Sequence, residues 1–268
     1  MLELRTHPTG LTWLASPLLE RLGVVHAFST RLGGVSSGPF ATLNLGNPGQ
    51  SAIPDSDANI AENYRRLLQA TSLVGRSLCR VHQIHSDRVL VILPGQPHDN
   101  PLQADALLTA DATSIVTIRT ADCVPLLLSS SDGRWVAAVH AGWRGVVVGI
   151  LTITLDRLCR ESSRPANDFT LAIGPCIGRE AFEVGPDVIV EFERAFGAAA
   201  PISRHSDSKA RIDLRAALRL QALRAGLPDT QIDQTDLCTY RQSDLFFSHR
   251  RDNGVTGRMA AMIGHKPR

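Results

Sequence analysis

Residues 120–145 read TADCVPLLLSSSDGRWVAAVHAGWRG. Two apolar runs, Val124–Ser130 and Trp135–Ala141, flank the turn-prone segment Ser131-Asp132-Gly133-Arg134. Runs of this length bounded by Ser, Asp and Gly predict two strands joined as a hairpin. With an even loop, paired positions sum to an odd number. A loop centred on Ser131–Asp132 sets Cys123 directly opposite His140. A loop centred on Asp132–Gly133, the stronger turn signal, makes them diagonal neighbours on one face. The β-carbons are then about 5 Å or about 7 Å apart, and one ion or one proton can span the side chains. An odd loop would put them on opposite faces.

Further strands are predicted at 24–28, 87–93, 113–119 and 169–174, and helices at 59–70, 145–160, 186–196 and 213–225. Gly226 and Pro228 mark a stop after the last helix. Stretches 38–58, 94–104 and 162–167 read as loops, none biased enough to be a linker. These elements predict an α+β fold with a mixed sheet in one domain, 1–268.

Composition narrows the function. The chain has 268 residues, 43% hydrophobic and 20% charged, so it can build a sizeable core. A net charge of +2 does not point to nucleic acid. No run approaches the length of a membrane-spanning helix, and the start lacks the pattern of a signal peptide. Five cysteines at irregular spacing, without a CxxC pair, read as reduced thiols. The expected location is the cytoplasm.

His85, in VHQIHSDRV, joins Cys123 and His140 as a third residue of ligand type. In an extended HQIH, His82 and His85 point to opposite faces, so at most one joins the site; spacing does not choose between them. Imidazole plus thiolate suits zinc or copper, and equally a thiol nucleophile beside a base. Three protein ligands fall short of a closed structural zinc site and match a catalytic one. Arg31 before Gly33-Gly34, Arg144 near a helix start and Arg250 in FFSHRRD are candidate anion-binding groups. Cys176, in GPCIG, reads as structural.

The segments FSTRLGGVS, LNLG, HQIHSD, ADALLT, TADCVPLLL, AVHAGWRG, AIGPCIG, FEVG, CTYRQSDLFFSHRRD and TGRMAAMI run in this order along nearly the whole chain. Together they resemble the bacterial laccase-domain family, also called polyphenol oxidase or peptidoglycan editing factor proteins. The resemblance implies mixed β-sheets sandwiched between helical layers, similar to cytotoxic necrotizing factor-type deamidases. It implies His85, Cys123 and His140 as catalytic metal ligands for zinc, with copper as a second occupant, and so selects His85 over His82. The family usually has Gly after the first ligand; here Ser86 stands there.

The resemblance further implies a purine nucleoside phosphorylase acting on adenosine, inosine and methylthioadenosine, with adenosine deaminase activity. The implied partners are a nucleoside and phosphate, with neither nucleic acid nor membrane, in a monomer or homodimer. Rival implied activities are a cysteine amidohydrolase correcting misincorporated serine in peptidoglycan precursors and a polyphenol oxidase. A non-enzymatic, metal-stabilised binding protein is a third reading of the same pocket. Multicopper oxidation needs many histidines, largely in His-x-His pairs; the chain has nine histidines and no such pair.

Overall fold

The hairpin forms in the Asp132–Gly133 register. Gly133 takes a left-handed φ of +69°, and its N–H donates to Ser130 O (2.9 Å). Asp132 Oδ1 accepts the Ser130 hydroxyl and the Arg134 N–H. Pro125 therefore stands opposite His140 and Val124 opposite Ala141. Cys123, one step further, is the diagonal neighbour of His140.

A computed structural model describes residues 1–47, 53–95, 102–206 and 208–266. In chain order its elements are β1 (Glu3–Thr6), β2 (Thr12–Ala15), α1 (Pro17–Arg21), β3 (Val24–Ser29), α2 (Asp57–Ala70), β4 (Ser77–Cys79), β5 (Val89–Ile92), β6 (Ala106–Thr109), β7 (Ser114–Thr120), β8 (Val124–Ser130), β9 (Val136–Ala141), α3 (Trp143–Val148), α4 (Ile150–Ser162), β10 (Phe169–Ile173), β11 (Glu183–Val184), α5 (Pro186–Phe196), β12 (Ile202–Ser206), β13 (Lys209–Ile212), α6 (Leu214–Arg224), β14 (Ile232–Gln234) and β15 (Met259–His265). The strands form two six-stranded mixed sheets, β1-β2-β3-β15-β7-β4 and β14-β10-β8-β9-β6-β5, and a small sheet β11-β13-β12.

Alternation along the hairpin explains the layers. Val124, Leu126, Leu128, Ala137 and Val139 pack with α4, α5 and α6, whereas Leu127, Val136 and Ala138 face the first sheet. Each buried leucine contributes about 1.5–3 kcal/mol, so consecutive leucines bind the second sheet to both neighbours. The first sheet repeats the pattern: Ile115, Ala260 and Met262 pack under Ile60, Tyr64 and Leu67 of α2. The result is two mixed sheets between helical layers, as the family resemblance implies. Cys123 and His140 continue the series that faces the first sheet.

The predicted elements are present, with ends shifted by up to two residues. The helix predicted at 145–160 is two helices. Gly149, at φ +81°, closes α3 by donating to Gly145 O and Val146 O and opens α4. α2 begins at Asp57 because the Ser56 hydroxyl caps it, accepting from Asn59 N. Parts of the predicted loops, residues 48–52 and 96–101, lie outside the described residues.

Candidate metal centre

The segment between β7 and β8 turns sharply at Asp122, whose φ is +94°. Its buried carboxylate accepts the Thr239 hydroxyl (2.6 Å) and the Arg250 N–H (2.7 Å). Its carbonyl accepts from Ile177 N (2.9 Å). Three distant segments, GPCIG, CTYRQ and SHRRD, thus fix the residue before Cys123.

Asp105, just before β6, organises the other side. It is fully buried. Its carboxylate accepts from His140 Nδ1 (2.8 Å), leaving Nε2 for the site. It also accepts the backbone N–H groups of His85 (3.0 Å) and Ser86 (2.6 Å), and the Ser86 hydroxyl (2.8 Å). Ser86 therefore adds a hydrogen bond that glycine could not make. This wrapping lets His85 adopt a left-handed φ of +58°. Gln83 anchors the same loop, its side-chain amide exchanging two 2.8 Å hydrogen bonds with the Arg119 backbone.

The ligand atoms of His85, Cys123 and His140 lie within 4.8 Å of one another. Their burial is graded: His85 is exposed, Cys123 half-buried and His140 buried. His82 lines the neighbouring cleft, but its backbone bridges Gln103 and it stays outside the cluster. Gly142 opens the space: a β-carbon there would sit 2.5 Å from His85 Nδ1 and 3.2 Å from Cys123 Sγ. Two imidazoles and a thiol around such a gap fit a zinc-type ion with bonds of about 2.0–2.3 Å. Asp105 behind His140 matches the carboxylate that commonly orients a ligating histidine.

Charge is strongly coupled here. Burial raises the Asp105 pKa, but hydrogen bonds from His140 and Ser86 outweigh it and bring it down to about 2. Burial opposes charge on His140, yet Cys123 and Asp105 push its pKa up to about 9. His85, although exposed overall, is held below its ordinary value by partial desolvation of its ring and the charge of His140.

The cluster lines a cleft of about 380 Å³. Trp143, Ile177, Phe182 and Leu214 supply apolar wall; Arg119, Arg250, Arg258 and His249 supply polar wall. Of the three arginines singled out from sequence, Arg250 lines the cleft, over the Phe182 ring at 5.5 Å. Arg31 and Arg144 are not among the lining residues. Arg31 donates to the carbonyls of Ala41 and Ser243 and covers the Phe247 ring; Arg144 lies over Trp143. Asp105, Asp122, Arg119 and Arg258 were not read as site residues. Asp105, Asp122 and Arg258 carried a signal, each standing inside a quoted motif, ADALLT, TADCVPLLL and TGRMAAMI; Arg119 carried none.

A family model described as multi-copper polyphenol oxidoreductase laccase matches residues 25–266. A Deinococcus radiodurans protein named purine nucleoside phosphorylase is 37% identical over 256 residues, covering 95% of this chain and 93% of its own length. Escherichia coli (strain K12) YfiH, also named a purine nucleoside phosphorylase, is 37% identical over 242 residues, 90% of this chain and 93% of its own. The crystal structure of YlmD from Geobacillus stearothermophilus superposes with a TM-score of 0.88 at 29% identity, covering 98% of this chain and 99% of that one. With the model matched along most of its length and relatives alike nearly end to end, the chain belongs to the laccase-like YfiH/YlmD family.

Proposed function

We propose that this chain is a cytoplasmic, single-domain purine nucleoside phosphorylase that binds one zinc ion through His85, Cys123 and His140, with copper as the competing occupant. Its substrates are adenosine, inosine and methylthioadenosine, and it deaminates adenosine in addition. The observation that carries this reading is the His–Cys–His set in a cleft lined by aromatic and cationic side chains. Such a cleft suits a planar base on one side and an anion on the other. The names of the relatives point the same way.

In phosphorolysis a phosphate oxygen bonds to C1′ of the ribose as the C1′–N9 bond breaks. The electron pair leaves with the purine, which takes up a proton. His82 and His249, both lining the cleft, are the imidazoles placed to supply it. Trp143 and Phe182 border the base and exclude water, while Arg250 offers charge-assisted donors to the anion. Asp105 fixes the His140 ring, and Asp122 holds Cys123 and the Arg250 backbone together. In deamination the oxygen of water bonds to purine C6 as the C6–N bond breaks, giving the 6-oxo purine and ammonia. The bound ion would supply Lewis-acid chemistry and an activated water.

A second reading has one specific observation behind it. Cys123, His140 and Asp105 line up as thiol, imidazole and orienting carboxylate, the order of a nucleophilic triad. Without metal they would suit a cysteine amidohydrolase acting on a cell-wall precursor. A metal-bound thiolate cannot attack at the same time, because the ion holds the sulfur lone pair.

The test is purified protein assayed for metal and for base release from inosine and adenosine, with and without phosphate. Stoichiometric zinc lost in Cys123→Ala, with phosphate-dependent base release, supports the phosphorylase. Base release indifferent to phosphate, or none, overturns it. Amide hydrolysis of a cell-wall precursor by metal-stripped protein, lost in Cys123→Ala, favours the triad.

A further inference from the structure

Two arginines on the cleft wall are left over by the ligand set. Arg119 lies near the end of β7 and Arg258 immediately precedes β15. In this antiparallel pair Arg119 stands opposite Ala260. Arg258, two residues away, is its diagonal neighbour on the same face, with β-carbons about 7 Å apart. Both side chains line the cleft. Burial and the neighbouring Arg119 charge hold Arg258 below its ordinary pKa.

Among the described residues, no carboxylate forms an ion pair with Arg119, Arg250 or Arg258. Arg251 on Asp252 and Arg164 on Asp132 and Asp168 are neutralised by carboxylates, whereas Arg31 and Arg215 spend their donors on backbone carbonyls. The negative groups that act on Arg258 are Cys123 and Asp122. Cys123 belongs to the ligand set, and Asp122 is committed to Thr239 and the Arg250 N–H. The head groups are nonetheless held in place. Arg258 Nη1 donates to the carbonyls of Thr256 and Gly257, at 3.1 Å each. Arg119 lies against Gly46, where a β-carbon would come within 2.6 Å of Nη1.

Two fixed guanidinium groups on one cleft wall, with no carboxylate ion-pair partner among the described residues, call for a bound anion, and their planar donors match a tetrahedral oxyanion. We infer that Arg119 and Arg258 form the seat for inorganic phosphate, on the wall of the cleft next to the His–Cys–His set. The inference rests on the phosphorolysis reading for its ligand. It moves the anion-binding role away from Arg31 and Arg144, and leaves Arg250 as a supporting cation.

The experiment uses the metal-loaded full chain and orthophosphate alone, read by calorimetry and by the phosphate-induced rise in melting temperature. Arg119→Gln should weaken phosphate binding by about tenfold or more, the worth of one charge-assisted contact. Arg119→Lys should recover part of it. Metal content and the KM for inosine should stay within about twofold, since neither depends on this contact. Arg258→Lys, which keeps the charge and loses the fork, should also weaken phosphate binding. Unchanged phosphate affinity in both Arg119→Gln and Arg258→Lys overturns the seat. Stabilisation by a nucleoside 5′-phosphate but not by orthophosphate overturns it too. Phosphate binding that follows Arg119 in a protein releasing no base keeps the seat and removes the phosphorylase reading. Phosphate-dependent base release with the phosphate KM unmoved in both variants does the reverse.

Discussion

The tripeptide Val-His-Ala occurs twice, at 25–27 in β3 and at 139–141 in β9. Both histidines lie in interior strands and both are 4% exposed. Their states are opposite. Burial drives the His26 pKa down to about 4. Its Nε2 accepts the Ser16 N–H (2.7 Å), and its Nδ1 has no partner among the described residues. His140 has the Asp105 carboxylate on one side and the Cys123 sulfur on the other, and its pKa rises to about 9. Local sequence and burial are shared, so the difference comes from what the chain folds across each ring. A buried imidazole becomes a core residue or a functional one according to its neighbours.

The largest expected effect removes that neighbour. Asp105→Ala strips the acceptor from His140, from the Ile84, His85 and Ser86 amides and from the Ser86 hydroxyl. Breaking a buried pair of this kind costs about 3–5 kcal/mol, and losing an orienting carboxylate weakens metal binding by about 10–100-fold. Urea denaturation and competition with a metal chelator measure the two. Metal affinity equal to wild type would make Asp105 a folding residue only.

Next in size is opposed acid and base sensitivity. His26 titrates lower in the folded chain than its ordinary 6.5, so the unfolded chain binds more protons in between. Its contribution is complete above pH 6.5 and is lost as pH falls toward 4, up to about 3 kcal/mol. His140 in metal-free protein is the mirror case. Its folded pKa is raised, so its contribution is complete below 6.5 and fades as pH rises through about 9. Denaturation midpoints of metal-stripped protein against pH should show both slopes, the acid one flattened in His26→Gln and the alkaline one in His140→Gln. Identical slopes in wild type and variants would contradict the contrast.

Gly142→Ala should act on the site and spare the fold. The new methyl displaces His85, lowering metal affinity by about tenfold with little change in melting temperature. Wild-type metal content at limiting zinc would show that the loop yields. The smallest effect is expected for Gln83→Ala. It frees the His85 loop from β7 at about 1–2 kcal/mol for two hydrogen bonds. The KM for substrate should change before metal content does, and a collapse of stability would show that Gln83 holds the sheet instead.

The hairpin half of the site was legible because strand parity is a local rule: Val124–Ser130 and the Cys123–His140 diagonal follow from the Asp132–Gly133 turn. Gly226 and Pro228 marked the end of α6 equally well. His85 was different. Its loop is shaped by Asp105 and Arg119, about 20 and 36 residues away in sequence, and only the family resemblance selected it over His82. Arg31 read as an anion site because a cation before two glycines looks the same whether its donors face a ligand or carbonyls. The Gly149 break was hidden inside an apolar run. Strand β15, MAAMIGH, lacks the β-branched density of a typical strand and exists because β3 and β7 bury it from both sides.

That last strand also sets when the protein becomes useful. β15 is a central member of the first sheet, although it comes from residues 259–265. On a ribosome, β3 and β7 emerge long before the strand that joins them, and must wait as unpaired edges. Arg258, His249 and Arg250 arrive with the same late segment. The nascent chain therefore carries its His–Cys–His residues well before it has a finished cleft around them, and the closing of one strand completes sheet and site together.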